Sequence, residues 1–322
     1  MAHTATRVTD VLTREEIRDL VTPTDWEGLA SLAVSWGLIA ATFWMAAAFP
    51  HPLTWLVAIV LLGGRQLGLA ILMHETSHRS LFRSRFLNEF AGEWLCAAPT
   101  WNHMRAYRTH HLAHHAHTNT DKDTDLGLVA PFPVSRASLY RKLLRDLVGL
   151  TGLKRIVGLL MMDFGFVTYT ASVNAVAIDQ RGRSIGQVLS HGFRQAGPVL
   201  LTNGILFAIL FLAGHGWLYL LWVAAWLTTY SLFMRVRAIA EHACTSSSTN
   251  PFENTRTTYA NLLARCTVAP HHVNYHLEHH LLMTVPHYRL PKMHRMLKQR
   301  GALTESPVAS GYLEVLRMAS TG

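Results

Sequence analysis

The chain has 322 residues, half of them apolar and only 15% charged, with 20 histidines and a formal net charge of +9. An ordinary soluble domain carries more charge than this. The three cysteines, Cys96, Cys244 and Cys266, have no paired or CxxC spacing, which argues against a disulfide framework, a thiolate zinc site and an iron–sulfur cluster.

Residues 1–27 are polar and mixed in charge, without the basic patch and short apolar core of a cleaved signal, so they read as an N-terminal segment. Residues 29–49 and 53–73 follow, each apolar over about the 20 residues that a membrane-crossing helix needs, joined only by Pro50-His51-Pro52. The stretch after them is polar and basic. Within it, residues 154–178 are apolar but interrupted by Asp163 and Asn174, and predict a helix lying on or dipping into the membrane surface. Residues 198–213 and 217–234 supply a third and a fourth span, joined by Gly214-His215-Gly216. The expected fold is an all-α integral membrane protein with four transmembrane helices arranged as two hairpins. A cytoplasmic helical cap would hold the functional site. A single domain, 1–322, would comprise the N-terminal segment, the spans with their central loop (28–234) and a C-terminal cap (235–322).

Lysine and arginine fix an orientation. Three precede the first span, fifteen lie between the two apolar pairs, ten follow the fourth span, and Arg65 alone is inside one. The positive-inside rule then puts both termini, the central loop and the cap on the cytoplasmic side. The basic charge is accounted for by topology and by anionic headgroups or an acidic carrier, and no nucleic-acid partner is expected. Arg65 is read as a tether to a neighbouring helix or to loop carbonyls. Trp44, Trp55 and Trp217 near the short turns and Trp26 near the opposite face read as an interfacial belt.

The histidines are clustered: HETSH (His74, His78), HLAHH (His111, His114, His115), the pair Glu241-His242, and HLEHH (His276, His279, His280). Positions i, i+3 and i+4 share a helix face, so HxxxH offers two ring nitrogens to one point and HxxHH is expected to offer three. All four groups fall on the same side of the inferred membrane. Nine imidazoles exceed the four or three ligands of a zinc site, so at least two metals are implied. Spacing does not choose the metal, because imidazole suits iron, zinc, copper and nickel. Nor does it settle the crowded stretch RTHHLAHHAH, since His110 and His114, and His114 and His117, are also about one turn apart.

HETSH, YRTHHLAHHAHTNTDKDTD, NTRTT and NYHLEHHLLMTVPHYRLPKMH together resemble the membrane fatty acid desaturase superfamily, which also includes hydroxylases and ketolases. The resemblance covers roughly residues 30–300. It implies an oxygen-dependent oxidoreductase with two iron ions held by His74, His78, His111, His114, His115, His242, His276, His279 and His280, and it leaves His110 and His117 outside the set. It further implies a double bond introduced into a fatty acyl or related lipid chain, or, in the hydroxylase and ketolase branch, oxygen added to a lipid, carotenoid or other hydrophobic molecule. Electrons would come from a separate protein of ferredoxin, rubredoxin or cytochrome b5 type. Outside that resemblance, a zinc-dependent membrane hydrolase or a metal-handling protein remains open. The segment after His280, Leu-Leu-Met-Thr-Val-Pro, departs from the phenylalanine-proline pair of many relatives and leaves the subfamily open.

Carboxylates beside the boxes are candidates to receive the second ring N–H of a ligand: Glu75, Glu241, Glu278, Asp121, Asp123 and Asp125. The three aspartates read rather as loop caps. Asn274 is a candidate supporting residue or a helix cap. His272, one turn before His276, is a candidate supporting residue, whereas His3, His51, His103, His191, His215, His287 and His294 read as surface or packing residues.

Overall fold

The computed structural model describes residues 7–172 and 174–321, so that His3 lies outside the described residues. It is helical almost throughout: α1 (Arg14–Leu20), α2 (Asp25–Ala48), α3 (Pro52–Ser77), α4 (Arg85–Phe90), α5 (Met104–His117), α6 (Leu126–Val129), α7 (Arg136–Leu147), α8 (Leu150–Asp163), α9 (Ile185–Leu212), α10 (Tyr219–Leu227), α11 (Thr229–His242), α12 (Pro251–Asn254), α13 (Leu262–Cys266), α14 (His276–Leu281), α15 (Leu290–Gln299) and α16 (Tyr312–Met318). Four two-residue strands accompany them, β1 (Val134–Ser135), β2 (Thr257–Thr258), β3 (Val308–Ala309) and β4 (Ser320–Thr321). The parallel pairs β1·β4 and β2·β3 tie the tail to the central stretch and to itself.

Among the described residues, four helical stretches are long and apolar enough to cross a membrane: α2, α3, α9 and Gly216–His242, the last made of a short turn, α10 and α11. Their starts carry the expected signals. Thr24 caps α2 by accepting from Glu27 N, Pro52 opens α3, and Ser184 and Gln187 form a reciprocal capping box on α9. The helix α3 is central and α9 peripheral, since 72% of the apolar window of α3 is buried against 11% of that of α9. At one end the short connections lie side by side, with the Trp55 and Trp217 rings 5.2 Å apart. At the other end the last turns of α3 and α11 carry His74 and His242.

Three boundaries differ from the sequence reading. The second and fourth stretches continue past Met73 and Met234 to Ser77 and His242, which makes the histidines extensions of the spans. The third begins at Ile185, because Ser190, His191, Arg194 and Gln195 lower its hydropathy without breaking it, and Pro198 removes one backbone hydrogen bond without ending the helix. The helix expected over 154–178 stops at Asp163. Beyond it Gly165 adopts a left-handed φ of 72°, and Val167 bridges to Ala177.

Backbone approach is close around α3. A Cβ on Gly63 would lie 2.1 Å from Thr229 Oγ1, and one on Gly64 would lie 2.0 Å from the Cys266 carbonyl oxygen. Only glycine admits α11 and the tail this near. Arg65 Nη2 donates to the carbonyls of Arg265 (3.0 Å) and Cys266 (3.1 Å), so the buried cation caps the end of α13 and acts as a tether.

Candidate metal centre

The end of α3, the middle of α5, the end of α11 and all of α14 converge. His74, His78, His111, His115 and His279 form one nest and His114, His242, His276 and His280 a second, and in each nest one ring nitrogen from every member lies within 4.8 Å of the others. The nests adjoin, with the His115 and His280 rings stacked at 4.3 Å. The expectation that HxxHH aims three nitrogens at one point is corrected. Neighbouring helical residues are about 100° apart, so His114 and His115 face different points. Box two gives its i, i+4 pair to the first nest and His114 to the second; box three gives His276 and His280 to the second and His279 to the first.

The donor set suits a metal. His111 Nε2 and His115 Nε2 are 3.1 Å apart, His115 Nε2 and His279 Nε2 3.0 Å, and His242 Nε2 and His276 Nε2 2.9 Å. Two nitrogens bound at about 2.1 Å and at right angles on one ion stand about 3.0 Å apart, against about 3.4 Å for a tetrahedral angle. Buried nitrogens with no protein partner surround these pairs: His74 Nε2, both nitrogens of His78, His111 Nδ1, His279 Nδ1 and His280 Nε2. Buried groups of this kind are otherwise paired. Burial, together with neighbouring positive groups, pushes His78 down to about 3 and holds His111, His115, His276, His279 and His280 well below the ordinary imidazole range. The rings are therefore neutral, the form that binds metal.

Carboxylates meet three of the nine rings. His114 Nδ1 is 2.7 Å from Asp123 Oδ1, His74 Nδ1 is 3.2 Å from Glu75 Oε1, and His276 Nδ1 is 3.4 Å from Glu241 Oε1, which Arg237 Nε also contacts at 2.6 Å. Asp123 additionally caps its loop, accepting from the amides of Asn119 and Asp125 at 2.9 Å each, so it joins two roles that the sequence left as alternatives. Asp125 holds His110 at 2.9 Å, whereas Asp121 is exposed. For His114, burial opposes the cation, but the hydrogen bond to Asp123 and the charges of Asp125, Asp123 and Glu241 outweigh it and raise its basicity.

Glu278 and Asn274 are placed differently from the sequence expectation. The carboxylate of Glu278 turns away from the nests to His294 Nδ1 (2.6 Å) and Thr257 Oγ1 (2.5 Å). Asn274 donates from Nδ2 to the Thr258 carbonyl at 3.0 Å, stapling β2 to the loop before α14. His272 packs on Tyr275 and His287. Sequence reasoning missed Tyr107, whose ring stacks on His111 at 5.1 Å, and its i, i+4 spacing from that histidine was the available signal. It also left His103 and His287 as ordinary packing residues. His103 Nε2 meets the buried Asp163 at 2.7 Å, and the amide of His287 donates to Glu75 Oε2 at 2.7 Å.

A small chamber of about 70 Å³ touches both nests, through His111 on one side and His114, His242 and His276 on the other, and Leu128, Val129 and Met234 supply its apolar wall. A separate apolar cavity of about 450 Å³ lies between α8, α9 and α10, lined by Trp101, Val199, Gly204, Phe207, Trp222 and Trp226.

These features define a helical, membrane-type protein with two adjoining histidine nests at one end of its spans. The sequence pattern of the fatty acid desaturase family matches residues 50–310, and the chain belongs to that family. It is 26% identical to a dihydrorhizobitoxine desaturase of Bradyrhizobium elkanii over 84% of this chain and 71% of that one. It is 25% identical to an sn-1 oleoyl-lipid 12-desaturase of Synechocystis over 84% and 75%. A shorter match, 32% identical over 32% of this chain and 43% of the other, is to a beta-carotene ketolase of Paracoccus.

Proposed function

We propose that the protein is an oxygen-dependent diiron desaturase acting on a fatty acyl or related lipid chain. The observation that carries this reading is the pair of nests, five and four imidazoles within reach of one another, inside a desaturase-family chain. Five nitrogens around one point exceed the tetrahedral zinc complement, which disfavours the zinc hydrolase alternative. Iron held there would supply the oxygen-dependent oxidation of an unactivated C–H bond, which no side chain can perform.

The chain's own residues set up that chemistry. Asp123 and Glu75 each accept from the outward nitrogen of a ring, fixing tautomer and direction so that the opposite nitrogen faces the nest, and Glu241 lies 3.4 Å from the outward nitrogen of His276. Leu128, Val129 and Met234 give the small chamber an apolar wall where a reacting carbon would sit against both nests. The cavity beside α9 offers room for a remoter part of an alkyl chain entering from the bilayer. The spans would form two hairpins with both termini and the nests on the cytoplasmic side, in keeping with the basic residues concentrated at that end. A separate electron-transfer protein would deliver reducing equivalents.

The match to a beta-carotene ketolase supports a second reading, oxygen insertion into a lipid or carotenoid. One experiment separates the readings. Purified protein should hold about two irons per chain and consume oxygen only with a reduced donor, and lipid mass spectrometry of expressing cells should show products lighter by two hydrogens. Products heavier by one oxygen would support the ketolase or hydroxylase reading, and stoichiometric zinc with oxygen-independent turnover would sink both.

A further inference from the structure

The third box is carried by α14, and the segments on either side of that helix are held in a way that the ligand pattern does not explain. Just before the box, His271 Nε2 lies 2.7 Å from Ser35 Oγ; just after it, His287 Nε2 lies 3.0 Å from Ser31 Oγ. Ser31 and Ser35 are one turn apart on α2, both buried, and the two imidazole rings are 5.0 Å from each other. The serine geometry fixes one tautomer. Ser31 O–H donates to the Glu27 carbonyl at 2.8 Å, so its oxygen accepts from His287, which must carry its proton on Nε2. The other nitrogen, His287 Nδ1, is buried and has no partner.

The backbone shows that this arrangement is imposed. His271 and His272 both adopt left-handed conformations, with φ of 50° and 56°. Such a conformation is strained for a non-glycine residue and persists only where its surroundings over-determine it. Two in succession at the mouth of the box need an external hold, and the Ser35 hydroxyl supplies one. At the other end, His287 connects to the first nest through its own backbone. Its amide donates to Glu75 Oε2, and Glu75 Oε1 meets His74.

We propose that His271 and His287, with Ser35 and Ser31, form a two-point clasp that positions the third histidine box against the first span. They are positioning residues, acting through His276, His279 and His280. Because those three rings are divided between both nests, a loop displaced from α2 would loosen both metals together. The inference rests on the reading that the nine histidines hold metal.

The test uses the full-length, metal-loaded protein. The double variant Ser31→Ala/Ser35→Ala and the single variants His287→Gln and His287→Ala are compared with the parent chain for iron per chain, for release to a chelator and for melting temperature with and without metal. The clasp predicts about 10–100-fold faster release of both irons from the serine double variant and from His287→Ala. Their metal-free melting temperatures should stay close to the parent's, whereas the rise that metal confers should shrink. In His287→Gln the side-chain amide can donate where Nε2–H does, so release should return toward the parent rate. Unchanged release in the double variant overturns the clasp. An equal fall in metal-free and metal-loaded melting temperature also overturns it, by showing a packing role alone. A parent protein that binds no metal would instead refute the metal-centre reading, which keeps the two failures distinct.

Discussion

Replacing Asp123 by alanine is the sharpest test of how the second nest is held. Its carboxylate accepts from His114 Nδ1 and from the amides of Asn119 and Asp125. Alanine strips a partner from all three donors at a residue that is only 7% exposed. The bond to His114 is charge-assisted, worth about 1.5–3 kcal/mol, and each backbone bond adds about 1 kcal/mol, so the local loss is about 3–5 kcal/mol. The ring is then free to turn, and loss of such a partner typically lowers metal affinity about 10–100-fold. His114 belongs to the second nest alone, so the effect should be selective: iron content after dialysis against a chelator should fall from about two per chain toward one, with activity lost. Asp121→Ala, at an exposed position of the same loop, is the control and should keep both irons. If Asp123→Ala retains two irons with the parent's release rate, the link from this carboxylate to the nest is refuted.

Other outcomes follow from the same geometry. His115→Ala removes a ring that meets both His111 and His279, and should abolish turnover and lower metal content; His117→Ala, outside both nests, should spare both, and equal losses would refute the assignment. Acid should empty the site. His78 is pushed down to about 3, so a disassembled chain binds more protons than the folded one between about pH 3 and 6.5. Stability present at neutral pH is therefore lost on acidification, by about 2 kcal/mol for this ring alone between pH 6.5 and 5, and metal analysis across that range should show loss beginning below about pH 6.5. Gly204→Leu tests the apolar cavity: a Cβ there meets nothing within 4 Å, so the side chain can grow into the space without moving backbone. It should shift products toward shorter chains with melting temperature unchanged, and an unaltered chain-length profile would remove the cavity from the substrate path.

The spans were legible because apolar runs of the required length leave few other folds, whereas their ends were not. Hydropathy falls toward Ser77 and His242 because nest histidines are carried on extensions of the apolar helices, and near Ile185 because polar residues occupy the first turns of α9. Helix α8 ended early for the opposite reason. The partners of its last residue, Trp101 Nε1 donating to the Asp163 carboxylate at 3.0 Å and His103 Nε2 at 2.7 Å from it, come from about sixty residues upstream, and no local pattern contains them. The same limit hid the clasp, since the partners of Ser31 and Ser35 lie more than two hundred residues away in the tail.

The histidine boxes show where helical periodicity informs and where it misleads. It grouped the residues by helix face, but a shared face is wider than a coordination point. Seen down α5 from His111, His115 is about 40° round and His114 about 60° the other way, so one HxxHH box naturally straddles two targets. With α14 disposed in the reverse sense, each of these boxes gives a pair to one nest and a single ring to the other. That crossing makes the nests mechanically dependent, because neither α5 nor α14 can shift without disturbing both. It also explains why the tail box requires two anchors outside itself. A short helix, His276–Leu281, cannot define its own rotation, and a small rotation would move His279 out of one nest while moving His276 and His280 within the other. The contacts at His271 and His287, flanking the helix at both ends, constrain that rotation.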